Sequence, residues 1–349
     1  MAKGTTLYTK VNLRSESTYG TGTEAEVQAN SRRMAVGPTG IITFGEEWDL
    51  GSDRTIGIRN PVVQGYQTLT AKNPTISLES PAVPTDELPY YLSMLQEATS
   101  SDVEGLAKTW VYDLGGEVTV EPPTSMAAII SDGNDNFLVN GIALTGLELS
   151  AQSSGTTSLS ASGFAKSISN DDIGPATVGF PTISPRAMAG RVWQAKLWAA
   201  FPYSVPETTG TAFEHLYDWS LSVTSGNAPI AAQIGDVTNA GINPYGAAFS
   251  GTLSMTVAST PDTTSALLNE RGGNVFVELA WADAGSPAHA VNIYAAGIIS
   301  SVEPLSGDQD GITTHAVEIT LAYDPETQQT LQVSVTNEMS DLIGTPYID

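Results

Sequence analysis

Apolar and polar residues alternate one by one along several stretches of this chain, as in Trp219, Leu221, Val223, in Val317, Ile319, Leu321, and in Leu331, Val333, Val335. A period of two places every apolar side chain on one face of an extended segment, so these stretches predict half-buried antiparallel strands. Turn-forming clusters such as Ser131-Asp132-Gly133-Asn134-Asp135-Asn136 and Ser306-Gly307-Asp308-Gln309-Asp310-Gly311 fall between strands, as hairpin connections should. Charged residues make up only 15% of the chain and 33 residues are Gly, which suits short strands joined by tight turns and leaves helix in the minority. The expected fold class is mainly β: two tandem related β-sandwich or partial-barrel domains, each with one flanking α-helix, preceded by an extended N-terminal arm.

The two-domain expectation rests on length and on an internal repeat. At about 150 residues per domain, 349 residues suggest two. Thr75-Ile76-Ser77-Leu78 corresponds at an offset of 177 to Thr252-Leu253-Ser254-Met255, and Pro84 falls on Pro261 at the same offset. Further on, Gly141-Ile142 matches Gly297-Ile298 and Ser154-Gly155-Thr156 matches Asp310-Gly311-Ile312 at an offset of 156, so that Leu159 and Ala161 align with His315 and Val317. The difference of 21 residues is an insertion between residues 93 and 140, containing Trp110 to Leu114 and the strand-like Glu117-Val118-Thr119-Val120.

A helix is expected after each copy of the first matched strand. Leu88, Tyr91, Leu92 and Leu95 stand at helical spacing behind Asp86, read as an N-cap, and the run from Pro261 to Arg271 stops at Gly272-Gly273. Pro175, Pro181 and Pro185 among glycines mark a boundary. The division is therefore 1–35 for the arm (part of the first module), 36–170 for the first β domain, 171–190 for a linker and 191–349 for the second β domain.

Composition excludes several kinds of function. With 14 basic and 38 acidic residues the net charge is −24, and after Lys196 the sole basic residue is Arg271, against 17 Asp and Glu from Glu207 to Asp349. Tight binding to nucleic acid or to an anionic membrane needs a basic surface that releases counterions, so neither is expected. Zero Cys removes disulfides, thiol catalysis and Cys-containing zinc patterns.

His215, His289 and His315 are far apart and lack metal-ligand spacing, and read as strand or surface residues. Asp308-Gln309-Asp310-Gly311 opens like a calcium loop, but Ile319 stands where the bidentate Glu belongs. No nucleophile elbow, P-loop or dinucleotide fingerprint occurs, and the adjacent pairs Glu46-Glu47 and Asp171-Asp172 would point to opposite faces of a strand. Six scattered Trp fit core or interface packing better than a stacking platform for sugars or bases. No enzyme activity, cofactor or metal is expected. The opening Met1-Ala2-Lys3-Gly4-Thr5-Thr6 lacks the apolar segment of a secretory signal, and no run of about 18 apolar residues occurs, so the expectation is a protein held in the cytoplasm until assembled.

Glu16-Ser17-Thr18-Tyr19-Gly20-Thr21 resembles the start of tail tube proteins of long-tailed bacteriophages. Val83-Pro84-Thr85-Asp86-Glu87-Leu88-Pro89-Tyr90-Tyr91-Leu92 is similar to that family's strand-to-helix passage, and the Trp219 strand, Gly251-Thr252-Leu253-Ser254-Met255, Asp310-Gly311 and Tyr323-Asp324 resemble the second copy in duplicated members. The resemblance implies that hairpins of successive subunits join into a barrel around a lumen. It implies homotrimeric rings of pseudo-sixfold symmetry, stacked into the tube of a noncontractile virion tail, with tape-measure, tail-terminator and tail-tip proteins as partners.

On that reading Glu16, Thr18, Tyr19 and Gly20 are assembly residues. The bases Lys3, Lys10, Arg14, Arg32 and Arg33 suggest an arm that docks on a neighbour's acidic surface. An acidic wall would let viral DNA slide through without specific binding. The alternative from another class is a monomeric carbohydrate-binding or adhesin-like β-sandwich, with a hydrolase last.

Overall fold

The computed structural model describes residues 10–37, 41–49, 68–104, 107–116, 122–131, 135–170, 173–174, 186–198, 210–231, 236–283, 289–309, 311–339 and 341–342. Among the described residues strand dominates, at 57% against 10% helix. The expected strand at Glu117–Val120, the Asp171-Asp172 pair and most of the linker lie outside the described residues.

The first part of the chain contributes β1 (Lys10–Ser15), β2 (Arg32–Met34), β3 (Ile42–Thr43), β4 (Glu46–Asp49), β5 (Thr68–Lys72) and β6 (Thr75–Ser80). There follow β7 (Ser100–Glu104), β8 (Ala107–Leu114), β9 (Met126–Ser131), β10 (Asn136–Gln152), β11 (Ser158–Phe164) and β12 (Ser167–Ser169). After residue 190 come β13 (Gln194–Trp198), β14 (Thr211–Ala212), β15 (Leu216–Thr224), β16 (Ala228–Ile230) and β17 (Gly241–Asn243). The last are β18 (Ser250–Ala258), β19 (Asn274–Ala282), β20 (Ala290–Gln309), β21 (Ile312–Leu321) and β22 (Leu331–Asn337). The helices are α1 (Glu24–Ala29), α2 (Leu88–Leu95) and α3 (Pro261–Asn269).

All strand pairs are antiparallel, and their registers coincide under the offsets read from the sequence. Leu78 faces Ala161 between β6 and β11, and Met255 faces Val317 between β18 and β21. Likewise Ser80 faces Leu159 while Val257 faces His315, and Ile76 faces Gly163 while Leu253 faces Ile319. The long strands β10 and β20 follow suit at an offset of 155: Leu147 faces Ala161, and Val302 faces Val317. A register shift falls at Leu144/Gly146 in one and Ile299/Ser301 in the other, so even the bulge recurs. The sequence match of Gly141 with Gly297 is thereby corrected by one residue. Gly141 has φ +67° and kinks its strand, whereas no left-handed φ marks Gly297.

One sheet run carries the fold: β6–β11–β10–β15–β18–β21–β20. Alternation gives it an apolar face holding Leu78, Leu147, Leu149, Leu159, Leu221, Val223, Leu253, Met255, Val317 and Ile319, all buried. Burying such side chains yields roughly 1.5–3 kcal/mol apiece, which is what holds the run against its covering layers. The buried residues from Val11 to Met339 form one cluster that passes through both parts of the chain.

The helices show how local sequence and tertiary demand compete. Thr23 and Glu26 make a capping box at α1, the Thr23 hydroxyl accepting from the Glu26 N–H and the Glu26 carboxylate from the Thr23 N–H. Thr260 caps α3 by accepting from the Thr263 N–H, Pro261 sits in the first turn, and Gly272, at φ +75°, follows the end.

Asp86 does not cap α2, contrary to expectation. Glu87 occupies that position in helical conformation without a side-chain cap, because the Asp86 carboxylate is buried 3.4 Å from the Arg32 guanidinium. Every residue of α2 is buried. The expected N-terminal arm is corrected likewise: β1 pairs with β9 and β2, and Val11, Leu13, Val27 and Met34 are buried, so residues 10–34 belong to the packed fold. Alternating apolar residues at Val11 and Leu13 outweigh the polar composition of the segment.

Candidate assembly edges and acidic face

The sheet is barrel-like, and its main run leaves an unpaired edge at β3 and at the far part of β20, besides the outer edges of β2, β7, β12 and β14, among the described residues. Inside the chain, β10 and β15 join the residues before the linker to those after it, with Gly146 opposite Thr224, Leu147 opposite Val223, Glu148 opposite Ser222 and Leu149 opposite Leu221. The join is locked at one end: Ser225 N–H donates to the Thr145 carbonyl at 2.9 Å, and the Asn227 amide donates to the carbonyls of Leu144 (2.9 Å) and Leu95 (2.8 Å).

The register places β3 where β15 would be, since Ile42 faces Ile76 as Leu221 faces Leu253. It places β20 where β10 would be. Among the described residues, no strand pairs with the outer edge of β3, nor with the edge of β20 beyond Ile299 that faces away from β21, the Ile299 carbonyl itself accepting from the Gly272 N–H.

Apolar side chains are exposed along these edges. Leu305 is 72% exposed and stands at φ +59°, an unusual conformation for a non-glycine residue. Ile298 in β20, Ile312 in β21 and Leu268 in α3 are also exposed, and Phe44 is 44% exposed just after β3, edge-on to Phe137 at 6.0 Å. Sequence reasoning missed this set. The unusually long β20, running past its partner β19 at Asn274, was the signal that pointed to it.

The opposite face of the sheet run is hydroxylic and acidic. One row across the strands reads Glu79, Ser160, Glu148, Ser222, Thr252, Thr320, and another Ser158, Ser150, Ser220, Ser254, Glu318, Ser301. Between the edge residues Thr75 and Gln309, the seven strands hold Glu79, Glu148, Asp218, Glu303, Asp308 and Glu318 and no Lys or Arg.

Arg33 lies in β2 opposite Asn12 of β1, and the other residues singled out from sequence occupy two structural sites. The Glu16 carboxylate accepts from the backbone N–H groups of Gly20 (2.9 Å), Gly22 (3.0 Å) and Gly141 (3.2 Å), tying the end of β1 to the kink in β10. Tyr19 lies half-buried over that kink beneath the Lys166 ammonium at 5.5 Å, and burial pushes its phenol well above the usual range. A Cβ on Gly141 would meet the Tyr19 ring at 2.8 Å, and one on Gly20 the Lys166 side chain. Thr18 is exposed and its carbonyl accepts from Thr21. Arg14 donates to the Glu26 carbonyl at 3.0 Å. These are internal contacts, so the Glu16–Gly20 motif is a fastening within the subunit.

No family model matches this chain, and no curated protein matches it.

Arg32 belongs to a second, buried cluster. Its partner Asp86 is 3.7 Å from His289 Nδ1, His289 Nε2 is 3.8 Å from Glu338, and Thr85 Oγ1 is 2.9 Å from His289 Nδ1. Asn337 donates to the Thr85 carbonyl at 3.1 Å. Beside it the Glu87 carboxyl, which accepts from the Ala35 N–H, is pushed up to about 7 by burial, with Arg32 opposing the rise. The cluster ties the start of α2 to β20 and β22. His315, also buried, is lowered by that burial and hydrogen-bonds Thr264 at 2.8 Å. Among the described residues no group of His, Asp or Glu is arranged to hold a metal ion, and no helix is long and apolar enough to cross a membrane.

Proposed function

We propose that this chain is a structural subunit of a hollow tube, the tail tube of a long-tailed bacteriophage, built of two tandem related β-sandwich modules. The observation that carries the reading is the pair of loose sheet edges: each is the counterpart of a strand that is already paired, β20 of β10 and β3 of β15. A second copy completes the sheet if its β3 lies on β20 as β15 lies on β10. Val302 then faces Phe44 of the next copy, and Glu303 faces Thr43, in the manner of Leu147 with Val223 and Glu148 with Ser222.

Such a contact joins different surfaces on the two partners and closes only as a ring or continues as a helix. Two modules per chain make three copies the counterpart of a six-module ring, stacked in the virion tail and closed by tape-measure, tail-terminator and tail-tip proteins. The Ser, Thr and Glu face then lines the bore. DNA carries about one negative charge per 1.7 Å, and a wall without bases offers it no counterion release, so it slides.

Negative-stain microscopy and sedimentation of the purified protein over rising concentration test the reading. Rings or hollow stacked tubes are expected. A dispersed monomer at the highest concentration, in the presence of its tail partners, overturns it in favour of a monomeric β-sandwich.

A further inference from the structure

One base stands alone in the second half of this chain. Arg271 is the sole Lys or Arg after Lys196, in a stretch where 17 Asp and Glu lie between Glu207 and Asp349. It follows the end of α3 and is exposed, and it has no ion-pair partner among the described residues. An exposed base is often no more than solvated surface. Its place in the fold decides what else it can meet.

Arg271 sits at the corner where β20 loses its neighbour within the chain. β19 pairs with β20 as far as Asn274 opposite Ile298, and the Gly272 N–H then donates to the Ile299 carbonyl at 3.3 Å. Beyond Ile299 no strand pairs with that edge among the described residues, and the ring reading above seats β3 of an adjacent copy there. A Cβ on Gly272 would meet nothing within 4 Å, so the corner has room for an incoming residue.

The corresponding corner of the first half is filled, and residues of the other half fill it. There the bulge of β10 at Leu144 meets the end of α2 at Leu95, and the Asn227 amide donates to both carbonyls, at 2.9 and 2.8 Å. The Ser225 hydroxyl donates to the Leu144 carbonyl as well, at 3.0 Å. Ser225 and Asn227 are the residues that follow β15, so the strand that completes the seam also brings the polar groups that fasten its end.

Register carries this corner onto the seam between copies. With Val302 opposite Phe44, Ser300 stands opposite Glu46, as Thr145 stands opposite Ser225, whose N–H donates to the Thr145 carbonyl at 2.9 Å. The turn after each strand gives a second count. The carbonyl of Gly45, at φ +54°, accepts from the Asn73 N–H, as that of Gly226, at φ +83°, accepts from the Ala247 N–H, and the next residue is Glu46 in one and Asn227 in the other. By either count Glu46 takes the place of the groups that fasten the corner within the chain. The helix end it meets has changed in step: the second residue past α2 is Glu97, and the second past α3 is Arg271. Lys72 stands 3.3 Å from the Glu46 carboxylate, and a carboxylate with about four lone-pair sites takes a second cation.

We infer that Arg271 of one copy forms an ion pair with Glu46 of the adjacent copy and so fixes the register of β3 on β20. The inference rests on the ring reading above. Neighbouring strands lie about 4.8 Å apart, which an Arg side chain spans. Charge at the end of an apolar contact serves selection of partner and register more than affinity, and a slipped β3 would leave the base of this half unpaired. Charge reversal tests the pair separately from the ring. Arg271→Glu, Glu46→Arg and the two changes combined in one chain are purified and assembled. Arg191→Glu, which makes the same change of charge at an exposed base before β13, serves as the control.

Each single reversal at the seam should lower the assembled fraction, read by sedimentation and negative-stain microscopy, at least about tenfold, and the combined variant should recover most of it. The unfolding midpoint of Arg271→Glu should stay at the wild-type value, since Arg271 has no partner within the subunit among the described residues. Assembly of Arg271→Glu at the wild-type level overturns the ion pair and leaves the ring standing. So does a combined variant as impaired as the single ones, or an equal loss in Arg191→Glu, because net charge then accounts for the effect. Failure of the wild-type protein to assemble overturns the ring and the pair together.

Discussion

Leu147 of β10 faces Val223 of β15 across the seam that unites the two parts of this chain. Their counterparts, Val302 and Phe44, are 7% and 44% exposed and have no such partner among the described residues. Phe44→Glu therefore strikes an apolar residue whose burial waits on a second copy. Assembly monitored by sedimentation should fall at least tenfold, while the unfolding midpoint of the subunit drops only by the loss of the Phe137 contact, about 1 kcal/mol. Unimpaired tubes from this variant would remove Phe44 from the interface.

Glu16 holds three part-buried backbone N–H groups at once. Replacing it by Ala should cost about 2–4 kcal/mol in urea unfolding, because charge-assisted acceptors are lost together. Gly141→Ala should cost a similar amount through its φ of +67° and the Tyr19 ring. If either variant impaired assembly with subunit stability unchanged, the motif would act at an interface and not as an internal fastening.

Glu87 predicts a pH dependence with a definite sign. Its carboxyl titrates near 7 in the fold against 4.5 as the ordinary value, chiefly through burial. A raised acid favours the fold fully below about pH 4.5, and that contribution is lost as pH climbs to 7, with a span of about 3 kcal/mol. Unfolding of wild type and Glu87→Gln at pH 5, 6, 7 and 8 should show the variant gaining on wild type as pH rises. A constant gap would mean that burial is not what governs this carboxyl.

Three glutamates on the hydroxylic face, Glu79, Glu148 and Glu318, are exposed and interleaved with Ser and Thr. Changing all three to Lys should leave assembly intact and make the tubes retain duplex DNA in a salt-sensitive way, where wild-type tubes release it. Equal release by both would detach the acidic face from DNA passage.

Alternation at Trp219, Leu221 and Val223, and the offsets of 177 and 156, made the strands and the correspondence of β6 with β18 and of β11 with β21 legible in advance, but not which strand pairs with which. Period two is a local property, and a strand's inward face is written into it. The Thr23-x-x-Glu26 capping box was equally local, and the polar look of the first 35 residues masked it. Asp86 shows the limit: its place before Leu88 suits a cap, but Arg32, 54 positions away, and His289, over 200 away, claim the carboxylate.

The loose edges of β3 and β20 belong to the same class. Whether a strand has one neighbour or two depends on how distant segments meet, and backbone N–H and C=O groups are the same in every residue. The sequence alone therefore determined which residues become strands and which way each faces. Only the tertiary structure decided where the sheet stops, because pairing is a property of two segments together.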